Sequence, residues 1–235
     1  LSFLHGTLIA DSTFIEEGNY SYDYKNYDEK YLVLHKIEYR PSKNVTLFFG
    51  EEIIYGSRSI DPNYILPHVF WRITEHNLQD RDNVLIFAGS NVRIHDKAIW
   101  YTNIILDELR KKEIFGNWWG NKYAAQTGVS IEPFTLGKEK VRFTLEATAV
   151  RPWLYTHKAL PNKFSHDGIG LGFPAGSNLV QFAGELNIPI PDYFNFDTLL
   201  SYTKQGSEGN QFYLNYGVIE DYDTGYSSSK PKKEK

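Results

Sequence analysis

Along much of this chain apolar and polar residues alternate one for one, the period of an extended strand whose two faces meet different surroundings. The clearest run is Lys122 to Glu132. Tyr123, Ala125, Thr127, Val129 and Ile131 make one face, and Lys122, Ala124, Gln126, Gly128, Ser130 and Glu132 make the other. Val141 to Ala149 repeats it, with Val141, Phe143, Leu145, Ala147 and Ala149 set against Arg142, Thr144, Glu146 and Thr148. The same reading predicts strands over Ser2–Asp11, Tyr31–Arg40, Val45–Tyr55, Val84–Ile94, Ala98–Leu109, Val180–Ile188 and Phe194–Thr203. That makes about nine strands, most of the roughly 9–11 residues that a tilted strand needs to cross a bilayer.

The links between strands are unequal. Pro41 to Asn44, His95-Asp96, Pro133 to Lys140 with its Gly137, and Pro189-Ile190-Pro191 read as tight connections. Pro191 cannot donate to a ladder and marks a break. Ser12 to Glu29, Gly56 to Asn83 and Pro152 to Asn178 are long loops, and Asn63 to Leu78 holds a helical turn or two. Short turns at one end and long loops at the other predict an antiparallel transmembrane β-barrel. A soluble β-sandwich shows the same alternation, but its strands average about 5–6 residues. The polar faces here also carry opposite charges, Arg142 with Glu146 and Lys36 with Glu38, as a wet lumen tolerates. The expected organisation is a barrel, or part of one, over 1–226, followed by a disordered Lys/Ser-rich tail over 227–235.

Composition narrows the field. The absence of cysteine excludes disulfides and thiolate metal sites. Methionine is absent too, so Leu1 is no translational start and the chain reads as a processed form or a fragment. A net charge of −4 gives no global attraction to nucleic acid. No apolar run reaches the roughly 18 residues of a membrane helix. The mean hydropathy of −0.44 does not oppose a membrane barrel, because half of each strand faces water. Aromatic residues reach 16 %, with 17 Tyr and 15 Phe, types that favour strands and membrane interfaces.

Several motifs resemble the capsule assembly (Wzi-type) family of Gram-negative outer-membrane proteins, in its Bacteroidetes-like branch. They are Tyr31 to Arg40 running into Phe49-Gly50-Glu51 and Tyr55-Gly56, then Asp80-Arg81-Asp82-Asn83, then Trp118-Trp119-Gly120-Asn121-Lys122. Arg151-Pro152-Trp153 through Tyr155-Thr156-His157 follows, and last Phe164-Ser165-His166 with Gly170, Gly172 and Pro174. Their order and spacing span roughly residues 29 to 204. Phe173 stands where the family commonly has histidine, and the basic tail Lys230 to Lys235 departs from an ordinary barrel ending. The resemblance implies a bacterial outer-membrane barrel that binds surface or capsular polysaccharide and helps hold it at the cell surface. Family members are usually longer, so this chain would be the C-terminal part of a larger barrel.

Sugar binding needs aromatic faces for stacking and planar polar groups for hydroxyls and uronates. The loops offer Arg72, His76, Arg81, Trp118, Trp119, Arg151, Trp153, Tyr155, His157 and His166, and these are the candidate polysaccharide contacts. The plainer reading of the three tryptophans is an interfacial girdle, and that of Arg81 is a loop tie to Asp80 and Asp82. Arg142 and Glu146 are expected to pair with neighbours across the lumen. Catalytic readings fare worse. Glu51 and Glu52 are adjacent, so they face opposite ways on a strand and cannot act as a carboxylate pair. Glu75-His76 lacks a second ligand at metal spacing, and Asp80/Asp82 lacks the repeated oxygens of a Ca²⁺ cage. Gly168 to Gly172 has neither the Lys-Ser/Thr of a phosphate loop nor a helix clearly following it, so it reads as a turn. The expectation is therefore no enzyme, no cofactor and no metal. Expected partners are an acidic polysaccharide, outer-membrane lipid and other outer-membrane proteins, without nucleic acid. The competing functions are a non-catalytic structural subunit of a larger outer-membrane complex and, last, a carbohydrate-active enzyme.

Overall fold

A computed structural model of the chain describes residues 1–10, 29–78, 81–109, 120–157 and 160–207, with 16–17, 20–21, 112, 118 and 209 besides. The tail expected over 227–235 and most of the loop expected over Ser12 to Glu29 lie outside the described residues. Nine long strands form one sheet: β1 (Ser2–Leu8), β2 (Lys30–Ser42), β3 (Val45–Gly56), β4 (Asn83–His95), β5 (Ala98–Glu108), β6 (Lys122–Ile131), β7 (Arg142–Val150), β8 (Leu179–Ile190) and β9 (Phe194–Gln205). Each pairs antiparallel with its sequence neighbours, so the sheet is a plain meander. All nine strands expected from alternation are present. Two links differ in detail. Pro189 is taken into the end of β8, opposite Asn195, and the link expected over Pro133 to Lys140 carries its own small ladder, Thr135–Leu136 against Glu139–Lys140. The sheet is open: among the described residues β1 pairs only with β2 and β9 only with β8, so the closure expected of a barrel is not present within them.

Register sorts the side chains into two faces. One carries Trp100, Val129, Leu145, Gly184 and Leu200 in one row across β5 to β9, with Ile104, Ala125, Ala149, Val180 and Lys204 in another. The opposite face carries Asn103, Gln126, Thr148, Gln181 and Thr203 in one row and Ile99, Ser130, Thr144, Glu185 and Leu199 in another. These polar side chains bond along the sheet: Asn103 Nδ2 donates to Gln126 Oε1 at 2.8 Å, Thr144 to Ser130 at 3.1 Å, and Tyr101 OH to Glu146 Oε2 at 2.7 Å. Arg142 reaches Glu132 at 3.2 Å. Arg142 and Glu146 thus find partners on their own wall of the sheet rather than across a lumen as expected.

The polar face also holds three glycines that each sit directly opposite an aromatic ring: Gly50 facing Phe87, Gly89 facing Phe48, and Gly128 facing Tyr101. A β-carbon at any of the three would fall 2.4 Å from its partner's ring or hydroxyl, so the missing side chain lets the ring lie flat along the sheet.

The apolar face is uncovered on β5 to β9. Leu200 is 73 %, Phe182 57 % and Leu145 49 % exposed, with Trp100, Ile104 and Tyr202 exposed beside them. Leaving a large apolar side chain in water forgoes about 1.5–3 kcal/mol each. For these six the total is on the order of 10 kcal/mol, comparable to the whole net stability of an ordinary domain. A face of this kind belongs against hydrocarbon or another protein, not water.

Burial concentrates at one end. The links 43–44, 96–97, 132–141 and 191–193 are short and share one end of the sheet; the links 57–82, 109–121 and 151–178 are long and share the other. At the long-link end two apolar clusters sit on opposite faces. Tyr31, Val33, Ile53, Tyr55 and Val84 pack with Tyr64 and Trp71 from the 57–82 link. Ile54, Leu85, Ala124, Val150 and Leu179 pack with Leu154, Tyr155 and Phe164 from the 151–178 link. The rim of the sheet is clasped between two loops, one on each face.

Candidate functional site

The 57–82 link lies on the apolar face of β2 to β4 and is fixed there by a buried carboxylate. It contains a 3₁₀ turn at Pro62–Tyr64 and a short helix, α1 (Trp71–Asn77), within the stretch expected to hold helical turns. The first N–H groups of a helix lack partners within it. Glu51 of β3 supplies them: its Oε2 accepts from Trp71 N–H at 2.7 Å and its Oε1 from Arg72 N–H at 3.0 Å. His35 of β2 completes the group, with Nε2 3.0 Å from Glu51 Oε2, Nδ1 2.8 Å from Pro67 O, and its ring stacked on Trp71 at 4.0 Å. Glu52 takes the opposite face, as expected from its place on a strand.

The ends of this link are joined by charge. Arg58 holds buried Asp82 bidentately, Nη1 to Oδ1 at 2.9 Å and Nη2 to Oδ2 at 2.7 Å, and Tyr64 OH donates to Asp82 Oδ2 at 2.6 Å. Burial, and then this donation to a carboxylate, pushes the Tyr64 phenol up, so it stays a donor at any ordinary pH. Asp61 accepts from Asn63, Arg58 and, at 3.3 Å, Arg81. Burial opposes its ionisation, but the Asn63 and Arg58 donors outweigh burial and hold its carboxyl below the ordinary aspartate range.

The 151–178 link folds over the polar face. Arg151 donates from Nε to Asn121 O at 3.3 Å and from Nη2 to Trp118 O at 3.0 Å, and lies over the Tyr123 ring. Trp153 is buried with φ +67, and its N–H donates to Gly209 O at 2.9 Å. Its carbonyl accepts from the Thr156 N–H and, at 2.8 Å, from the Thr156 hydroxyl. Tyr155 is buried against Gly172, where a β-carbon would strike its ring at 2.4 Å, and burial raises its phenol. Buried Lys30 of β2 donates to Ser165 Oγ at 2.9 Å. Asn83 Nδ2 donates to Asn162 O and Asn162 Nδ2 to Arg81 O, both at 2.9 Å, so the two loops are tied to each other across the rim. Gly168 turns at φ +75 between Ser165–His166 and Ile169–Gly170, the tight turn expected there.

The ten candidate contacts therefore fall into distinct settings. Trp153, Tyr155 and His157 are buried in one turn of the 151–178 link, and Arg151 ties that link to Trp118 and Asn121. Arg72 and His76 share α1, with Arg72 3.2 Å from Glu75 and His76 exposed. Arg81 is half-exposed and bound to Asp61. Trp118 is half-buried, and His166 Nδ1 accepts from the Ile9 N–H at 3.0 Å. Trp119 lies outside the described residues. Sequence reasoning missed the Glu51–His35 clasp and the contact of Lys122 with Asp107 and Glu108, at 3.6 and 3.3 Å. A charged residue in an otherwise apolar strand face was the available signal for the first.

Lower on the polar face, near the short turns, a cavity of about 590 Å³ is lined by Arg93, Tyr101, Glu132, Arg142, Glu185 and Asn187, among others. Among the described residues no three His, Asp or Glu side chains are grouped to hold a metal ion.

No protein-family profile and no curated protein sequence matches the chain. Among solved structures it is similar to Wzi of Escherichia coli, described as an outer-membrane protein involved in group 1 capsule assembly and as a carbohydrate-binding β-barrel. The superposition has a TM-score of 0.59 at 17 % identity and covers 78 % of this chain and 40 % of that one. The likeness is one of fold, and the chain spans about two fifths of its neighbour's length.

Proposed function

We propose that this chain forms part of a bacterial outer-membrane β-barrel that binds surface polysaccharide at its long-loop end, without catalysing a reaction. The observation that carries the reading is the division of β5 to β9 into one uncovered, mainly apolar face and one mainly polar, hydrogen-bonded face. A sheet with hydrocarbon on one side and water on the other needs that division. The fold likeness to a carbohydrate-binding outer-membrane barrel supports it. The edges at β1 and β9, unpaired among the described residues, support completion of the barrel by further strands, because an unpaired edge within a bilayer leaves backbone groups unsatisfied.

In this reading the glycan meets Arg81, Trp118 and His166, which the loops leave at least partly accessible, together with Trp119, the sequence neighbour of Trp118. Arg151, Trp153, Tyr155 and His157 set the shape of the loop that presents them. Guanidinium groups at the rim favour an acidic glycan through bidentate pairing with uronates. The membrane half is tested by extraction. The protein should leave the envelope only with detergent and migrate faster on gels when unboiled; recovery in the aqueous fraction would refute it. The ligand half is tested on arrays of acidic and neutral capsular glycans. Binding should be retained by acidic members and weakened in Arg81→Ala, and an array without signal would refute it.

A further inference from the structure

The 57–82 link buries three of its carboxylates and shows several of its apolar residues. Asp61, Glu75 and Asp82 are buried, whereas Ile73 is 64 %, Phe70 53 %, Leu66 48 % and Ile65 46 % exposed. These four stand on the apolar side of the sheet: Phe70 packs on Phe49 of β3 at 6.1 Å between ring centres, and Trp71 beneath them packs on Phe3 and His35. Phe49 in turn belongs to the face that runs on through Leu47, Ile37 and Tyr39, all exposed. The segment is also rigidly seated, because Glu51 caps α1 and Arg58 closes the link through Asp82.

We propose that Ile65, Leu66, Phe70 and Ile73 form an interfacial anchor that dips into the lipid surface beside the barrel at its long-loop end. The proposal rests on the membrane reading above. The occupant is lipid rather than protein because the patch joins the sheet's apolar face through Phe70 on Phe49 and sits at the rim, where that face would meet the headgroup region. A short helix lying in that plane buries its apolar side at the headgroup–acyl boundary. Arg72 and His76 on α1 leave polar groups at the level of the headgroups. A surface-bound loop of this kind would hold the glycan-facing rim at a fixed height above the bilayer.

The absence of cysteine makes single-site labelling clean. Ile73→Cys and Phe70→Cys, each carrying an environment-sensitive fluorophore, are compared in the full polypeptide in phosphatidylethanolamine–phosphatidylglycerol vesicles. Leu200→Cys on the apolar face and Ser201→Cys on the polar face serve as references. The anchor predicts blue-shifted emission at positions 73 and 70, quenched by lipids brominated near the headgroup, while Leu200→Cys is quenched by lipids brominated deeper. Water-like emission at 73 and 70 with a lipid-quenched Leu200→Cys would overturn the anchor and leave the barrel standing. Water-like emission at Leu200→Cys as well would overturn the barrel reading itself. Disulfide-linked dimers of unlabelled Ile73→Cys would assign the patch to a second copy and overturn the lipid assignment.

Discussion

Glu51 satisfies two helix N–H groups and a histidine from one buried position. Removing one partner from such a group strands the others. Glu51→Ala is expected to cost the 57–82 link about 1–3 kcal/mol of local stability, because it leaves buried N–H donors without an acceptor. Glu51→Gln should cost less, since its amide oxygen still accepts. Amide exchange over 71–78 reads both, and unchanged protection in Glu51→Ala would show that the clasp does not hold the helix. Asp61 sets a pH response of defined sign. Its folded carboxyl is depressed, so its contribution is present above the ordinary aspartate range and is lost only as pH falls through the lower folded value. Protection of the link should persist through weakly acidic pH and drop below that range, and Asp61→Asn should remove the drop. At Gly128, valine would drive a side chain into Tyr101 OH and Leu145 O. It should cost about 1–3 kcal/mol by overpacking and break the Tyr101–Glu146 bond, measurable by urea titration in detergent. Of these three roles only that of Glu51 left a trace in the chain, as a charge in an otherwise apolar strand face. Asp61 is a surface-type residue in sequence, and a glycine opposite an aromatic is visible only once register is known.

At the scale of elements the strands were legible, because a period of two needs only local sequence. Boundaries moved where local rules were overridden. Proline usually ends a strand, yet Pro189 is tolerated within β8 before the chain turns at Pro191. The helix was legible only as a tendency, since seven residues of mixed propensity do not hold a helix alone and α1 depends on the cap from β3. The alternation itself makes a paired prediction. Leu200→Arg places a charge on the apolar face near the middle of β9 and should cost about 2–4 kcal/mol when the protein is folded into vesicles. Ser201→Arg, one residue on and facing the polar side, should be tolerated. Equal costs, scored by gel mobility of folded protein, would show that the two faces do not meet different solvents.

For the whole molecule, the motifs that carry the family resemblance have a common placement. Asp82 and Asn83, Asn121 and Lys122, Tyr155 to His157, and Ser165 are all buried at the long-loop rim. They join the loops to the sheet and, through Asn83 and Asn162, to each other. The sites expected to touch sugar are thus divided between groups that build the rim and groups that the rim exposes. Arg151→Ala should loosen 118–123, seen as faster amide exchange there, because its guanidinium bonds two carbonyls of that stretch. A loss of glycan binding without such loosening would instead make Arg151 a direct contact.

From its sequence alone this protein is bound to long antiparallel β-strands with one apolar and one polar face, because alternation, turn chemistry and loop length are local properties. Which charges are buried, which loop lies on which face, and that the two loops clasp one rim were decided only by tertiary structure. Those outcomes depend on pairings between residues as far apart as Lys30 and Ser165, and no local pattern encodes them.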